Sequence, residues 1–256
     1  PTRRSSDLER RERGARWHYM GLITKCVVLA AGKGTRMGAL TEELPKPMLS
    51  LRGKPMLEHI LDRLRAAGFT EALLVTGFRA DVIERHFAPY PMRLSYRRQE
   101  KLDGTGSAAL LGREFCGGDP FLLTFGDILT ETTDYQAMTA LLESDPAAEA
   151  VLAAKWVDDP WQGAAIYERQ RVVERIVEKP PRGTSTTHWN SAGAYVLRAG
   201  VFELLERLPL SPRGEYELTT AVEMLLAERR RVLLHGLEGE WRDVGRPEDL
   251  GVAEGQ

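Results

Sequence analysis

The stretch Leu29-Ala30-Ala31-Gly32-Lys33-Gly34-Thr35-Arg36-Met37-Gly38 decides how the fold is read. It grows out of residues 25–30, a short β-branched and apolar run of the kind that forms a buried strand. Glycines at 32 and 34 let backbone amides come close to a phosphate chain, because such a turn points N–H groups at anions. Two familiar loops are excluded. Lys33 lacks the spacing and the following Ser or Thr of a Walker loop, and position 37 is Met where a dinucleotide fingerprint has its last glycine. On glycine spacing alone, a phosphate cradle and a plain tight turn remain equally open. The neighbours favour the cradle: Thr35-Arg36 lies inside the loop, and Lys46 follows between Pro45 and Pro47. A triphosphate suits such a pair, since Arg can fork two phosphate oxygens while Lys acts as a compact point charge.

Outward from this loop the periodicity alternates. Residues 55–67 place Met56, Leu57, Ile60, Leu61 and Leu64 on one helical face, with Pro55 at the start and Gly68 at the stop. Strands are expected over 71–76, 92–96 and 121–125, with helices over 80–87 and 106–115. That alternation means crossover units and a largely parallel sheet. Beyond about residue 145 strand candidates dominate, at 151–156, 164–167, 172–178 and 193–197. Helices return over 201–208 and 217–228 before a last strand over 232–237. The fold class expected is α/β, a Rossmann-like mixed, mostly parallel sheet flanked by helices in a single domain.

Charge and composition narrow the function. The 35 Lys and Arg residues nearly balance 37 Asp and Glu, which argues against broad electrostatic capture of nucleic acid. The longest apolar run, 26–31, is far short of the roughly 20 residues that cross a bilayer. Cys26 and Cys116 cannot make a disulfide framework, and both sit in apolar surroundings, as reduced thiols of a cytoplasmic protein would. Residues 1–19 carry six arginines and three acids without a helical or strand period, and PTRRSSDL resembles a translated sequencing adapter. They are expected to be a disordered leader foreign to the native chain, with the domain running over 20–256 from Met20. A short native arginine-rich tail is the alternative. Without that segment 29 basic residues face 34 acidic ones, a mildly acidic chain.

The ordered set AAGKGTRMG, PKPML, GKPML, Gln99 with Asp103-Gly104-Thr105-Gly106, Gly126-Asp127, Glu178-Lys179-Pro180, Asn190-Ser191-Ala192-Gly193, RGEYELT (213–219) and WRDVG (241–245) resembles the sugar-1-phosphate nucleotidyltransferases. It is most similar to their glucose-1-phosphate thymidylyltransferase branch. The resemblance implies transfer of a nucleoside monophosphate from dTTP or UTP to a sugar 1-phosphate, glucose 1-phosphate first, with release of pyrophosphate and with Mg²⁺ as cofactor. It implies nucleotide binding by Leu29, Ala31, Gly32, Gly34, Thr35, Gln99, Gly104 and Thr105. Sugar-phosphate binding would fall to Gly163, Glu178, Lys179 and Asn190, with Glu178 on sugar hydroxyls and Lys179 on the phosphate. Arg36, Lys46 and Asp127 would be catalytic, and Asp127 and Asp243 would hold the metal. No nucleic-acid or membrane partner is expected, and the resemblance is compatible with a homo-oligomer.

Physical readings of these residues stand beside plainer ones. Arg36 and Lys46 would neutralise charge on the α-phosphate and on the departing pyrophosphate, where otherwise they are two solvated cations. Asp127 follows a buried strand at its carboxyl end, where ligands of open sheets collect, or else it caps a turn. Asp243 precedes a glycine turn and without the resemblance is nearly as well read as a turn acid. Gln99 has an amide that both donates and accepts, suited to a pyrimidine edge; alone it would be surface filler. Glu178-Lys179 could be an exposed charged pair at a strand end. Two departures matter: 159–163 is one residue shorter than the family pattern, and Gln162 stands where that pattern has tyrosine. Both put the identity of the sugar in doubt. A cytidylyltransferase for a non-sugar phosphate such as phosphocholine, or a non-catalytic nucleotide-sugar sensor, are the rival readings. RGEYELT with Glu178-Lys179 argues against the first, and the joint presence of Arg36, Lys46, Asp127 and Asp243 against the second.

Overall fold

The computed structural model describes residues 23–32, 34–244 and 247, and of Thr35 and Arg36 the backbone only. The leader, residues 1–19, lies outside the described residues. Strand β1 (Lys25–Ala30) runs into the glycine loop, a 3-10 segment Thr35–Thr41 and a second 3-10 turn Lys46–Met48. A small hairpin, β2 (Ser50–Leu51) and β3 (Lys54–Pro55), leads into α1 (Met56–Ala67). Then come β4 (Glu71–Thr76), α2 (Ala80–His86), β5 (Arg93–Arg98), α3 (Thr105–Leu110), α4 (Arg113–Cys116), β6 (Phe121–Phe125), β7 (Ile128–Thr130) and α5 (Thr132–Ser144). The rest comprises β8 (Ala148–Trp156), β9 (Ala164–Arg169), β10 (Val172–Glu178), β11 (Trp189–Leu197), α6 (Val201–Leu205), α7 (Leu218–Ala227), β12 (Arg231–Gly236) and β13 (Trp241–Asp243).

Nine strands form one sheet in the order β5-β4-β1-β6-β11-β8-β12-β10-β9. Pairing is parallel from β5 through β6 and again between β8 and β12. It is antiparallel on both sides of β11 and of β10, so only those two strands run against the rest. Strand alternation sorts the core into two apolar layers. Val28, Leu74 and Leu122 face α1 and α5, whereas Val27, Leu73 and Leu123 face α3, α6 and α7. All five apolar residues of the α1 stripe are fully buried, so truncating any of them to Ala would cost about 2–5 kcal/mol. Gly68 ends α1 in the left-handed conformation expected of a C-terminal stop.

Several local expectations need correction. The helix read over 106–115 is two short ones broken at Leu111-Gly112. Helix α5 and the short strands β7 and β13 went unread. The α5 stripe is interrupted by threonines, and Asp134 is buried where apolar residues would signal a core face. The two strands hold three residues each, too few to show a period. Strand β11 starts four residues earlier than 193, because Trp189 to Ser191 pair with β8 across a bulge. Both thiols are buried; Cys116 is pushed up to about 12 by that burial, and Cys26 higher still. Among the described residues no helix is long and apolar enough to cross a membrane.

Candidate active site

The chain leaves β1 for β4 and β5 on one side and returns to β6 on the other, so the loops after β1 and β6 diverge. A crevice at the carboxyl ends of the strands results, which is where open sheets bind ligands. Two adjoining cavities fill it, of about 260 and about 470 Å³, and Thr105, Phe125, Asp127 and Glu215 line both.

The first cavity is walled by Leu29, Ala31 and Gly32 from the glycine loop, by Lys46, and by Gln99, Gly104 and Thr105. Gly34 is not in that wall. It packs on the Lys46 stem, where an added Cβ would lie 2.7 Å from the Lys46 Cβ. Thr35 and Arg36 fall in the 3-10 segment beside it, with side chains outside the described residues. Gln99 is 8% exposed, and its Nε2 donates to the Gly104 carbonyl and to Ser107 Oγ, both at 3.0 Å. Ser107 Oγ donates in turn to Asp103 Oδ1 at 2.5 Å. Both amide hydrogens are therefore spent inside the protein, and Oε1 remains as the acceptor a ligand can use. Gly104 has φ +130°, and a Cβ there would meet the Tyr216 carbonyl oxygen at 2.3 Å. The close approach that demands glycine is that of the 213–219 segment, which donates Tyr216 N–H to Asp103 (2.8 Å) and accepts Gly106 N–H (2.7 Å).

Lys46 stands where the cavities meet. It is 7% exposed, and its Nζ lies 2.5 Å from Asp127 Oδ2. The flanking prolines and the short 3-10 turn hold its backbone, so Lys46 is mostly buried and not the solvated surface cation of the plainer reading. Asp127 follows β6, and the Val244 N–H donates to its carbonyl at 3.1 Å. Strand β13 pairs with β7 so that Asp243 sits opposite Ile128, the residue next to Asp127. Both carboxylates line the second cavity. Among the described residues no three His, Cys, Asp or Glu side chains cluster as a closed metal cage. Two carboxylates on one cavity wall fit Mg²⁺, which is usually held by one or two carboxylates with waters and substrate phosphates.

Gly163, Glu178, Lys179 and Asn190 meet in the wall of the second cavity. Glu178 ends β10 opposite Ala164, the Lys179 N–H donates to the Gly163 carbonyl at 2.7 Å, and Asn190 in β11 pairs with Ala165. Burial first, and the neighbouring Glu217 carboxylate second, push the Glu178 carboxyl above the usual carboxylate range, against the Thr219 hydroxyl donating at 3.1 Å. Gln162, at the position that departs from the family pattern, lines this cavity as well. The site also holds a residue the sequence reading left without a role. Arg213 bridges Glu178 (3.4 Å), Glu215 (2.6 Å) and Glu217 (3.0 Å), tying the 213–219 segment to the end of β10. The signal was present as one cation followed by acids two and four residues on, but its third partner lies 35 residues upstream.

Comparison with known proteins identifies the family. Residues 25–255 match the family model described as nucleotidyl transferase. The chain is 37% identical over 88% of its length to the bifunctional protein GlmU of Methanococcus maripaludis, covering 52% of that protein. The chain thus spans about half the length of the curated relatives it matches first. It is 29% identical to a UTP–glucose-1-phosphate uridylyltransferase of Staphylococcus saprophyticus, covering 87% of this chain and 88% of that one. Among solved structures, UDP-glucose pyrophosphorylase complexed with UDP-glucose superposes with a TM-score of 0.81 at 25% identity, over 91% of this chain and 97% of that one. The chain belongs to the nucleotidyl transferase family.

Proposed function

We propose that this chain joins a nucleoside monophosphate from dTTP or UTP to a sugar 1-phosphate, with glucose 1-phosphate the first substrate to test. A phosphate oxygen of the sugar phosphate attacks the α-phosphorus. The bond from that phosphorus to the bridging oxygen breaks, and pyrophosphate leaves with the electron pair. No protein nucleophile is needed, so catalysis is positioning and charge stabilisation. The observation that carries this reading is Lys46, a buried cation in the wall of the first cavity, paired with Asp127, which lines both cavities.

In the first cavity Gln99 Oε1 would accept the N3–H of uracil or thymine, a hydrogen that cytosine lacks. Lys46, with Arg36 from the loop, would neutralise the triphosphate. In the second, Lys179 would hold the sugar phosphate and Glu178 would accept hydroxyl hydrogens beside Asn190. Asp127 and Asp243 would hold Mg²⁺, which when bound supplies positive charge to the phosphate oxygens of both substrates. Relatives whose names specify sugar phosphates support this over a phosphocholine-type substrate. The inert buried thiols and near-neutral charge support a cytoplasmic enzyme with no nucleic-acid or membrane partner.

The test is pyrophosphate release over a grid of nucleoside triphosphates and sugar 1-phosphates. Turnover with UTP or dTTP and a hexose 1-phosphate is expected. Tight nucleotide binding with no turnover on any pair would instead make the chain a sensor.

A further inference from the structure

We propose that Asp134, which lines neither cavity, is the positioning residue that sets Asp243 beside Asp127; this rests on reading those two carboxylates as the metal site. Asp134 sits in the first turn of α5, the helix entered directly from β7, and is 2% exposed. Its Oδ1 accepts from His235 Nε2 at 2.9 Å and from the Glu238 N–H at 3.1 Å, while Oδ2 accepts from the Gly239 N–H at 3.1 Å. An ionised carboxylate only accepts, so the His235 hydrogen resides on Nε2. A buried carboxylate with three donors is satisfied, whereas loss of its acceptor oxygens would leave the buried His235 ring N–H and the part-buried Glu238 and Gly239 N–H groups without their partner.

Those donors come from the end of β12 and from the turn joining it to β13. The turn reaches Asp134 because position 239 is glycine: a Cβ there would stand 2.9 Å from Asp134 Oδ2 and 2.5 Å from Glu131 Cγ. Two residues later β13 begins, with Trp241 opposite Thr130 and Asp243 opposite Ile128. A strand of three residues has little pairing of its own to specify register, and a slip of one residue turns every side chain to the other face. Trp241 Nε1 donates to the Ala192 carbonyl at 2.9 Å and steadies the same end. The Glu240 pairs with Arg63 and Arg242 are partly exposed, a class of contact worth little. The buried Asp134 carboxylate thus fixes where β13 starts, and through register which way Asp243 points.

The experiment titrates Mn²⁺ alone into the full chain, following water-proton relaxation, with circular dichroism to establish folding. Asp134→Asn keeps the shape but puts an NH₂ against backbone N–H groups. A folded Asp134→Asn protein should bind Mn²⁺ about tenfold or more weakly, the scale of losing a group that orients a metal ligand. A folded variant with wild-type Mn²⁺ affinity overturns the proposal, since a role in stability alone would lower Tm without moving that constant. Asp243→Asn is run beside it: unchanged Mn²⁺ affinity there removes the two-carboxylate reading itself. Should Asp134→Asn not fold, His235 decides the matter. His235→Gln keeps an N–H donor and should bind Mn²⁺ as wild type, whereas His235→Leu should bind it more weakly. Equal affinity in both overturns the proposal.

Discussion

Around the ends of β1 and β6 the cavity wall is rich in small residues, Ala30, Ala31, Gly32, Gly104 and Gly126 among them, while around β9, β10 and β11 it carries charged and polar ones, Glu178, Lys179, Asn190 and Arg213. The first cavity relies on glycines and on one amide whose hydrogens are already spent within the protein. The second cavity packs Glu178, Glu215 and Glu217 around Arg213, with Lys179 also in its wall. Recognition by a wall of small residues depends on shape and tolerates little intrusion, whereas a charge-lined wall exchanges stability for affinity and responds to pH. Asp127 lines both cavities and holds Lys46 of the first by an ion pair, which makes this pair the place where the two sides are coupled.

The largest expected effect is at that junction. Lys46→Ala and Asp127→Asn should each lower kcat by about 10²-fold or more, the scale of losing one preorganised electrostatic group. Steady-state kinetics with both substrates varied checks this; Arg36→Ala should behave likewise. Near-normal turnover in Lys46→Ala would break the idea of a shared centre. Asp243→Asn should act more mildly and raise the Mg²⁺ concentration needed for half-maximal rate, by about 10-fold if it is a direct ligand sharing the cation.

On the sugar side, Glu178→Gln should raise KM for the sugar phosphate while leaving KM for the triphosphate nearly unchanged. Its pH behaviour sharpens the contrast. Because the folded-state pKa is raised, the folded protein favours protonated Glu178. That contribution to stability is full in acid and is lost as pH rises through the raised value. At neutral pH the ionised carboxylate is therefore a cost, and Glu178→Gln should raise Tm in a thermal melt. KM for the sugar phosphate in the wild type should begin to climb on acidification above the usual carboxylate range, as the acceptor gains a hydrogen. A Glu178→Gln protein with lower Tm and an unchanged KM for sugar phosphate would make Glu178 a structural partner of Arg213 only.

The smallest effects belong to the base. Gln99→Leu should raise KM for the triphosphate alone. In the wild type dTTP and UTP should differ by about 1 kcal/mol, the contribution of one buried methyl. CTP and the purines should be poorer by about 1–3 kcal/mol, the cost of leaving a buried polar group unpaired. Equal use of CTP in a substrate-competition assay would show that Oε1 of Gln99 does not read the base.

The nucleotide half was legible because its information is local. A strand running into a glycine loop, a proline-held lysine and a helix with five apolar residues on one face each declare themselves within a dozen residues, and the structure keeps those elements nearly to the residue. The place of Asp127 was legible as well, since it follows a short buried strand that is apolar but for Thr124. Elsewhere the pattern was mute. Helix α5 carries threonines and a buried aspartate in place of a clean apolar stripe.

What the sequence determined by itself was the alternation of elements, the mostly parallel sheet flanked by helices and the order of the family motifs, because hydrophobic period and turn chemistry act between neighbours. What only the tertiary structure decided was convergence across long separations: Arg213 on Glu178, Tyr216 against Gly104, Asp243 beside Asp127, Asp134 under the turn that leads to β13. The cause is the sheet topology. Reversal of β11 and β10 and the return of β12 beside β8 bring strand ends from more than a hundred residues apart to one crevice, and no period within a single segment encodes which ends will meet.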